Sequence, residues 1–387
     1  MYQIQTLNKI SPLGLSQLDE QKYHISNSCE NPDGILVRSA DMLNMEFGPN
    51  LLGIARAGAG TNNIPSDRCS EAGIVVFNTP GANANAVKEL FICALLLASR
   101  DIVGGVQWAQ TLADGQTDVE AAVEKGKSAF VGPEVLGKTL GVIGLGAVGV
   151  LVANAAVSLG MTVYGYDPYL SVTNALQLSG QVQVTDMKTI YAQSDYITIH
   201  VPLMDSTRNT INESAIDMMK HGVRILNLAR GGLVDEDDVL AGIASGKISR
   251  YVTDFPSNKI VGKDGVICIP HLGASTPESE ENCAVMAARQ LADYLETGNI
   301  RNSVNLPNCE LARSGGVRLC IVNRNIPNML SQILAVLSAD GANVDNMVNR
   351  SRGDYAYTII DCTGALPEKA LEDIKAIQGI LRLRVIQ

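Results

Sequence analysis

The sequence predicts an α/β protein with a doubly wound parallel sheet, a second and smaller α/β domain, and a C-terminal βαββαβ module. Three observations support this prediction. Residues 137–272 alternate apolar strands with helices, as in a parallel sheet that is buried on both faces. A glycine-rich turn at 144–149 joins the first of these strands to a helix. From residue 317 onwards the order changes to that of a small ferredoxin-like sandwich.

Composition narrows the class of protein. With 46% hydrophobic and 18% charged residues, the chain is typical of a well-packed globular protein with two or three domains. A net charge of −10 argues against a nucleic-acid partner, because phosphate binding needs a basic surface. We find no apolar run long enough to span a bilayer, no signal peptide, and no disulfide or metal-site pattern among the eight cysteines. We therefore expect a cytoplasmic enzyme without metal, membrane or nucleic-acid partners.

The N-terminal part of the chain predicts a small α/β unit. Short apolar runs bounded by turn residues predict strands over 34–37, 51–55 and 74–77. Residues 86–102 have the apolar spacing of a helix, which the pair Gly104-Gly105 is expected to end. This helix would connect the first unit to the central part of the chain.

The central part predicts the large sheet and the helix that follows it. Its strands are expected near 139–143, 162–166, 196–201, 223–228, 251–254 and 266–269. After His271, a proline followed by acidic residues predicts the start of a long helix that ends near Glu296. Because this helix can return to pack on the first unit, we expect that unit to be discontinuous.

The C-terminal part predicts a linker over 301–316 and then the separate module. Its predicted elements are strands 317–322, 344–348, 355–361 and 381–385 and helices 330–338 and 367–376. We accordingly assign three domains: a discontinuous domain from 1–98 and 275–310, a nucleotide-binding domain over 99–274, and the C-terminal module over 311–387.

The glycine-rich turn predicts a dinucleotide site. Gly144 permits the tight turn, Gly146 lets the backbone approach a pyrophosphate, and Gly149 lets the helix pack closely on the strand. The helix N-terminus offers N–H groups to the phosphates. Asp167, at the tip of the second strand, would hydrogen-bond a ribose hydroxyl and repel a 2′-phosphate. The motif therefore predicts NAD rather than NADP as the cofactor.

Two strand ends carry the candidate catalytic side chains. His271 supplies an imidazole that can exchange a proton at neutral pH. Arg230 stands beside two glycines, where its guanidinium can bind a carboxylate with two hydrogen bonds. Because ligands bind at the carboxyl ends of parallel strands, the pair predicts hydride transfer on a 2-hydroxy carboxylate. We expect His200 to be structural or to line the cofactor, and His24 and His221 to lie on the surface.

Six motifs spread over most of the chain resemble those of the D-isomer-specific 2-hydroxyacid dehydrogenases. They are Arg56-Ala-Gly-Ala-Gly-Thr-Asn-Asn63, Asn78-Thr-Pro-Gly81, Gly144-Leu-Gly-Ala-Val-Gly149, His200-Val-Pro-Leu203, Ala229-Arg-Gly-Gly232 and Pro270-His-Leu-Gly-Ala-Ser-Thr276. The resemblance implies a Rossmann-type NAD-binding domain, a discontinuous flavodoxin-like substrate domain and a C-terminal ACT-like domain.

The resemblance also implies roles for individual residues. Arg230 would bind the substrate carboxylate, and His271 would accept and donate the proton. The implied cofactor contacts are Gly144, Gly146, Ala147, Val148, Gly149, Asp167, His200, Pro202, Leu228, Ala229, Arg230, Asp254, His271, Gly273 and Ala274. The implied substrate contacts are Arg38, Arg56, Ala57, Gly58, Asn78, Arg230 and His271.

One departure from the family concerns the histidine. Family members usually have a glutamate shortly after the aspartate that corresponds to Asp254, and it pairs with the histidine. Here the segment Thr253-Asp-Phe-Pro-Ser-Asn-Lys259 contains no glutamate. Two hypotheses remain open. Either the pH profile is shifted to lower values, because the negative charge that would favour the imidazolium is missing, or another acid such as Asp264 or Glu278 takes the place of the glutamate.

The C-terminal module resembles an ACT domain, which in this family can bind L-serine at a dimer interface. The residues equivalent to its ligand loop are Asn323, Asn325 and Asn343. Asn323 stands where family members often have histidine, and Asn328 where they often have glycine. The alternative is therefore a dimerisation module without an effector, and a homodimer or homotetramer is expected in either case.

The resemblance implies NAD-dependent oxidation of D-3-phosphoglycerate to 3-phosphohydroxypyruvate, the first step of L-serine biosynthesis. A reductase acting on hydroxypyruvate, glyoxylate or another 2-keto acid is the alternative within the class. An NAD(H)-sensing interaction protein is the alternative from another class, because the missing glutamate leaves room for it. Arg230 and His271 favour an enzyme.

Overall fold

The computed structural model describes residues 1–113, 115 and 117–387, which divide into two compact units. The first unit comprises Met1–Asn83 and Pro277–Gln387, and the second comprises Ala84–Thr276. The first unit is thus discontinuous in sequence. The three-domain assignment, with its boundaries at 98, 274 and 310, stays a prediction beside this division.

The described part of the chain forms strands β1 to β16 and helices α1 to α13. The strands are Tyr2–Leu7, Tyr23–Ser26, Gly34–Val37, Gly53–Arg56, Val75–Phe77, Thr139–Ile143, Thr162–Tyr166, Gln183–Val184, Tyr196–Ile199, Val223–Asn227, Ile248–Thr253, Val266–Cys268, Val317–Arg324, Asn343–Arg352, Tyr355–Thr363 and Ile380–Ile386. The helices are Pro12–Leu15, Ser66–Glu71, Ala84–Ser99, Ile102–Thr111, Val119–Gly126, Ala147–Ser158, Val172–Gln177, Met187–Gln193, Glu213–Met218, Glu236–Ala244, Pro277–Thr297, Met329–Ala339 and Glu368–Ala376. None of the helices in the described ranges has both the length and the apolar character needed to cross a membrane.

The first unit contains a parallel sheet in the order β2-β1-β3-β4-β5. This is the flavodoxin-like strand order, as the fold class predicts. The sequence predicts β3, β4 and β5 but not β1 and β2, because these two strands carry mostly half-buried polar and aromatic side chains rather than an apolar run. The long helix α11 returns to this sheet and buries Leu291 and Tyr294 in its core.

The second unit contains a seven-stranded parallel sheet in the order β12-β11-β10-β9-β6-β7-β8. This is the doubly wound strand order of the dinucleotide-binding fold with one further strand, as predicted. The helix predicted over 86–102 is wrong at its C-terminal end. It stops at Ser99, and Asp101 caps the next helix by accepting a hydrogen bond from the Gly104 N–H at 3.1 Å. Gly104 therefore belongs to the start of a helix, where a Cβ would lie 2.5 Å from the Asp101 carboxylate.

The first unit also contains an antiparallel sheet in the order β14-β15-β13-β16, covered on one face by α12 and α13. Its element order is the predicted βαββαβ. The opposite face of this sheet shares a core with the parallel sheet and α11, to which it contributes Val322, Tyr357 and Ile359. We call residues 317–387 the antiparallel module.

A buried ion pair fixes the antiparallel module to the end of α11. Arg318 and Asp361 are both fully buried, and the guanidinium donates to the two carboxylate oxygens at 2.6 and 2.8 Å. Arg318 also donates to the carbonyls of Thr297 and Leu311, at 2.9 and 3.0 Å. Burial alone would raise the pKa of Asp361, but the hydrogen bonds and charge of Arg318 outweigh burial and lower it.

Candidate active site

The glycine-rich turn of the second unit has the shape that a pyrophosphate requires. Gly144 has a φ of +94°, and a Cβ there would lie 2.7 Å from the carbonyl oxygen of His200. A Cβ on Gly149 would lie 1.9 Å from the Gly144 oxygen, so helix α6 packs on the turn only because this residue is glycine. Gly146 has no atom within 4 Å of its Cβ position, and no side chain caps α6 there. The first N–H groups of the helix are therefore open to an anion.

Asp167 lies directly after β7 beside this turn. Its carboxylate accepts hydrogen bonds from the backbone N–H groups of Leu145 and Tyr169, at 2.9 and 2.8 Å. These bonds fix the carboxylate at the edge of the turn, where a ribose would follow the pyrophosphate. The geometry thus fits the predicted ribose contact of Asp167, which stays a prediction.

His200 follows β9 and is enclosed by neighbouring side chains. Its Nε2 lies 2.9 Å from the Thr198 hydroxyl, and its ring makes an edge contact with Phe91. Burial lowers the pKa of His200 to about 4, so the imidazole is neutral at physiological pH. A neutral ring in this position suits a structural or cofactor-lining role and does not suit a general base near neutrality.

Asn227 orients the loop that carries Arg230, a role that the sequence analysis missed. It is buried at the end of β10, where its side-chain amide donates to the Arg230 carbonyl at 2.9 Å. Its side-chain oxygen accepts from the Ala229 N–H at 3.2 Å. The Arg230 guanidinium donates to the Ala229 carbonyl at 3.0 Å, so the side chain folds back over its own loop.

Phe255 brings Arg230 and His271 into one cluster. The ring of His271 lies 4.6 Å from the Phe255 ring, and the Arg230 guanidinium carbon lies 5.8 Å from the same ring. All three residues follow neighbouring parallel strands β10, β11 and β12, whose carboxyl ends share one edge. The predicted proximity of Arg230 and His271 therefore has a physical basis. No motif in the sequence singles out Phe255.

Asp254 is the buried acid of this cluster. It follows β11 directly, is only 1% exposed, and neither carboxylate oxygen has a hydrogen-bond partner among the residues that the structure describes. Burial raises the pKa of Asp254, while the charges of His271 and Arg230 and the Gly273 N–H act in the opposite direction. A buried carboxylate with so few hydrogen bonds is costly, so its oxygens are available to accept hydrogen bonds from a bound group.

The other two acids considered from the sequence differ from Asp254. Asp264 is exposed in the turn before β12, and Glu278 is exposed in the first turn of α11 in the first unit. Within the described ranges neither of them forms an ion pair. Their proposed substitution for the missing glutamate stays a hypothesis.

The predicted substrate contacts of the first unit lie after β3, β4 and β5, at the carboxyl edge of the parallel sheet. Arg56 donates from Nε to the carbonyl of Arg38 at 3.0 Å, and Arg38 forms an ion pair with Glu280 at 2.6 Å. Ala57 and Gly58 follow Arg56, and the side-chain amide of Asn78 donates to the Ala59 carbonyl at 2.7 Å. The structure thus gathers these residues at one sheet edge within their own unit.

Cys283 is a buried residue of α11 whose thiol interacts with the charges of the two arginines. Burial raises its pKa, while a hydrogen bond with Thr79 and the charges of Arg38 and Arg56 act in the opposite direction. The thiol is therefore protonated at physiological pH, so it adds no negative charge near the basic edge.

The three predicted effector residues are not brought together within one chain. Asn323 lies at the C-terminal end of β13, where its amide donates to the Arg324 carbonyl at 2.7 Å and its side-chain oxygen is buried without a described partner. Asn325 donates to the Gly353 carbonyl at 3.0 Å. Asn343 begins β14, opposite Thr363, and therefore lies at the other end of the sheet. At about 3.3 Å per residue, the two ends of these strands are roughly 20 Å apart.

The comparisons with known proteins assign the chain to a family. Residues 98–273 match the family described as "D-isomer specific 2-hydroxyacid dehydrogenase, NAD binding domain". The chain is 38% identical to hydroxypyruvate reductase of Thermotoga maritima over 265 residues. This match covers 65% of this chain and 81% of the relative. It is also 32% identical to D-3-phosphoglycerate dehydrogenase of Escherichia coli K12 over 343 residues. That match covers 84% of this chain and 79% of the relative.

The fold is shared with solved structures of the same class. The NAD⁺-bound 3-phosphoglycerate dehydrogenase of Entamoeba histolytica is 26% identical, with a TM-score of 0.60 over 79% of this chain and 98% of that chain. A D-lactate dehydrogenase of Treponema pallidum has a TM-score of 0.64 at 19% identity, over 78% of this chain and 99% of that chain.

These findings define an NAD-dependent dehydrogenase with a doubly wound NAD-binding fold. The chain belongs to the D-isomer-specific 2-hydroxyacid dehydrogenases, as its motifs predicted. NAD is the cofactor, and the open helix N-terminus at Gly146 and the carboxylate of Asp167 fit it. The residues that the structure describes include no cluster of side chains that could hold a metal ion.

Proposed function

We propose that this dehydrogenase oxidises D-3-phosphoglycerate to 3-phosphohydroxypyruvate, the entry reaction of L-serine biosynthesis. The cluster of Arg230, Phe255 and His271 carries the proposal, because a guanidinium and an imidazole both lie against the Phe255 ring. The guanidinium suits a carboxylate and the imidazole suits proton exchange. The basic edge formed by Arg38 and Arg56 supports a phosphorylated substrate. Several relatives bearing the name D-3-phosphoglycerate dehydrogenase are 30–36% identical to the chain.

In the proposed reaction, the protein positions the substrate and moves one proton. Arg230 holds the substrate carboxylate through paired hydrogen bonds. His271 accepts the proton of the 2-hydroxyl group, and in the reverse direction its imidazolium returns that proton to the keto oxygen. NAD⁺, when bound, supplies the acceptor for the hydride that leaves carbon 2. Phe255 contacts both the His271 ring and the Arg230 guanidinium and so holds the two side chains in one cluster.

Asp254 is proposed to contribute to this site in two ways. The resemblance assigns it to the nicotinamide side, and its unpartnered oxygens offer acceptors to a carboxamide. Its negative charge also acts on His271 and Arg230, since the interaction that lowers the pKa of Asp254 is mutual. In a chain without the usual glutamate, this buried carboxylate is the negative charge that the cluster offers to the imidazolium.

The substrate is tested by steady-state assays of the full chain with NADH. Phosphohydroxypyruvate, hydroxypyruvate, glyoxylate and 2-oxoglutarate are compared by kcat/KM. We expect the highest value with phosphohydroxypyruvate, and a selective loss for that substrate in Arg56→Gln. Absence of turnover with phosphohydroxypyruvate would refute the proposal.

Hydroxypyruvate reduction is the second candidate, because a relative that is 38% identical to the chain carries the name hydroxypyruvate reductase. The same assay separates the two. A reductase of the unphosphorylated acid would favour hydroxypyruvate and would tolerate Arg56→Gln.

We further propose a homodimer, with L-serine as an effector that needs two copies of the antiparallel module. The segment 102–136 exposes apolar side chains such as Val106 and Leu136, which are 53% and 67% exposed. Because Asn323 and Asn343 lie at opposite ends of one sheet, a serine site that uses both requires Asn343 from a second copy. Calorimetric titration of L-serine into the full chain tests this. Binding that survives Asn343→Ala would contradict the shared site.

A further inference from the structure

A cavity of about 340 Å³ lies in the first unit, where the antiparallel module meets the parallel sheet. Strand β16 contributes Arg382 and Arg384 to its wall, and the opposite wall includes Asp33, Asn50 and Leu52. None of these residues belongs to the predicted active site or to the predicted effector site. The function derived above therefore leaves this cavity unexplained.

The two arginines point to the same face of β16, because alternate residues of a strand share a face. Backbone carbonyls hold both guanidinium groups. Arg382 donates to the carbonyls of Leu51 and Pro49. Arg384 donates to the carbonyl of Tyr294 at 2.8 Å, to the carbonyl of Leu295 and to the Tyr2 hydroxyl at 3.2 Å. These bonds fix the side chains in place. They supply dipoles but no negative charge.

No carboxylate of the described residues forms an ion pair with either arginine. Asp33 is the acid that lines the cavity, and its carboxylate accepts a hydrogen bond from the Gln3 N–H at 2.7 Å. Burial lowers the pKa of Arg382, and the neighbouring charge of Arg384 acts in the same direction. Two like charges, held close together and half-buried, are costly without an anion.

We propose that this cavity binds a phosphate group, as inorganic phosphate or as a small phosphate monoester, with Arg382 as its main contact. A phosphate group carries a charge of about −1.5 to −2 at neutral pH, which matches two guanidinium groups better than a single carboxylate does. Arginine suits phosphate because its planar group can donate two parallel hydrogen bonds. The exposed amide of Asn50 is a further donor at the mouth of the cavity.

The cavity is open to solvent on one side, so a phosphate group with a short organic chain can enter it and extend outwards. Its binding would tie β16 to the segment around Asn50 that precedes β4. The ligand would thus add a contact between the antiparallel module and the parallel sheet of the same unit.

The test is calorimetric titration of the full chain with inorganic phosphate and, separately, with glycerol 3-phosphate. Chloride keeps the ionic strength constant, and saturating NAD⁺ occupies the dinucleotide site. We expect saturable binding that Asn50→Asp weakens by about tenfold or more, because a second carboxylate then joins Asp33 beside the anion. Arg382→Gln should weaken it similarly. Tighter binding of the ester than of phosphate would identify a monoester as the ligand.

Arg324→Gln is the matched control, since Arg324 is a partly exposed arginine of the same module that is not part of this cavity. It should leave the affinity unchanged. Asn50→Asp keeps the test decisive even where Arg382→Gln fails to fold, because Asn50 is an exposed side chain with no described hydrogen bond. Two results would overturn the proposal: no saturable binding, or binding that Arg56→Gln abolishes and Asn50→Asp leaves intact.

Discussion

Replacing Asp254 by asparagine removes the negative charge of the active-site cluster while nearly preserving the shape of the side chain. In the wild-type protein this carboxylate is 1% exposed and interacts with His271 and Arg230. Exposed charges interact weakly because water screens them, and His271 is solvent-exposed. We therefore expect the loss of this charge to lower kcat/KM by no more than about tenfold, which is worth about 1.4 kcal/mol.

The assay is the pH dependence of kcat/KM for reduction of phosphohydroxypyruvate by NADH. Reduction needs a proton donor, so its rate falls as the pH rises. In Asp254→Asn the fall should begin at a lower pH than in the wild type, because the carboxylate no longer favours the imidazolium. The rising limb of the oxidation reaction should move in the same direction.

The exposed Asp264 tests the alternative acid. Asp264→Asn removes a charge from the loop before β12. Both limbs should stay in place if Asp254 supplies the charge, and both should move if Asp264 does. An Asp254→Asn profile that keeps its wild-type limbs, with only kcat or the KM for NADH altered, would refute the electrostatic role of Asp254. It would leave only the contact with the nicotinamide side.

Stability gives an independent measurement on the same variant. Because burial raises the pKa of Asp254 in the folded protein, the protonated side chain favours folding. This contribution to stability is fully present below the pKa of Asp254 in the unfolded chain, near 3.8. It is lost as the pH rises through the pKa of Asp254 in the folded protein. Asp254→Asn should abolish this loss. Without cofactor, the variant should therefore melt at a higher temperature than the wild type at neutral pH.

Three further predictions concern the cofactor turn, the buried ion pair and the assembly. Gly149→Ala places a Cβ 1.9 Å from the Gly144 oxygen, so we expect calorimetry to show no NAD⁺ binding and urea unfolding to show a loss of about 1–3 kcal/mol or more. Asp361→Asn leaves Arg318 buried without its counter-ion and should lower the unfolding free energy by about 3–5 kcal/mol at pH 7; this difference should shrink as the pH falls through the lowered pKa of Asp361. Val106→Asp should convert the proposed dimer into a monomer in light scattering, and an unchanged mass would exclude α4 from the interface.

The sequence was most informative where local and global signals agree. The strands of the large sheet are continuous apolar runs because both faces are buried, and turn residues mark their ends. By contrast, β1 alternates half-buried side chains around a single buried Ile4, and its place in the sheet depends on pairing with β2 and β3. The boundary at Ser99 is hard to predict because apolar residues resume directly after the cap at Asp101, as if one helix continued.

The candidate site shows the same division. Gly144, Asp167, Arg230 and His271 could be selected because each stands at a strand end with a recognisable chemistry. Phe255 could not, since its importance depends on two partners from other strands that only the folded sheet brings to it. Likewise, a fixed spacing in sequence cannot show that the two ends of β13 and β14 hold Asn323 and Asn343 far apart.

The core that the antiparallel module shares with α11 has a consequence for dissecting the gene. Tyr357 donates to the Gly298 carbonyl at 2.7 Å, and Tyr357 and Val322 are buried in the same cluster as Leu291 and Tyr294. A stop codon after residue 316 would leave these α11 side chains without their covering strands. The shortened product would expose an apolar wall and be prone to aggregate. A chimaera that exchanges this module between homologues should therefore exchange α11 with it, since the two share one core.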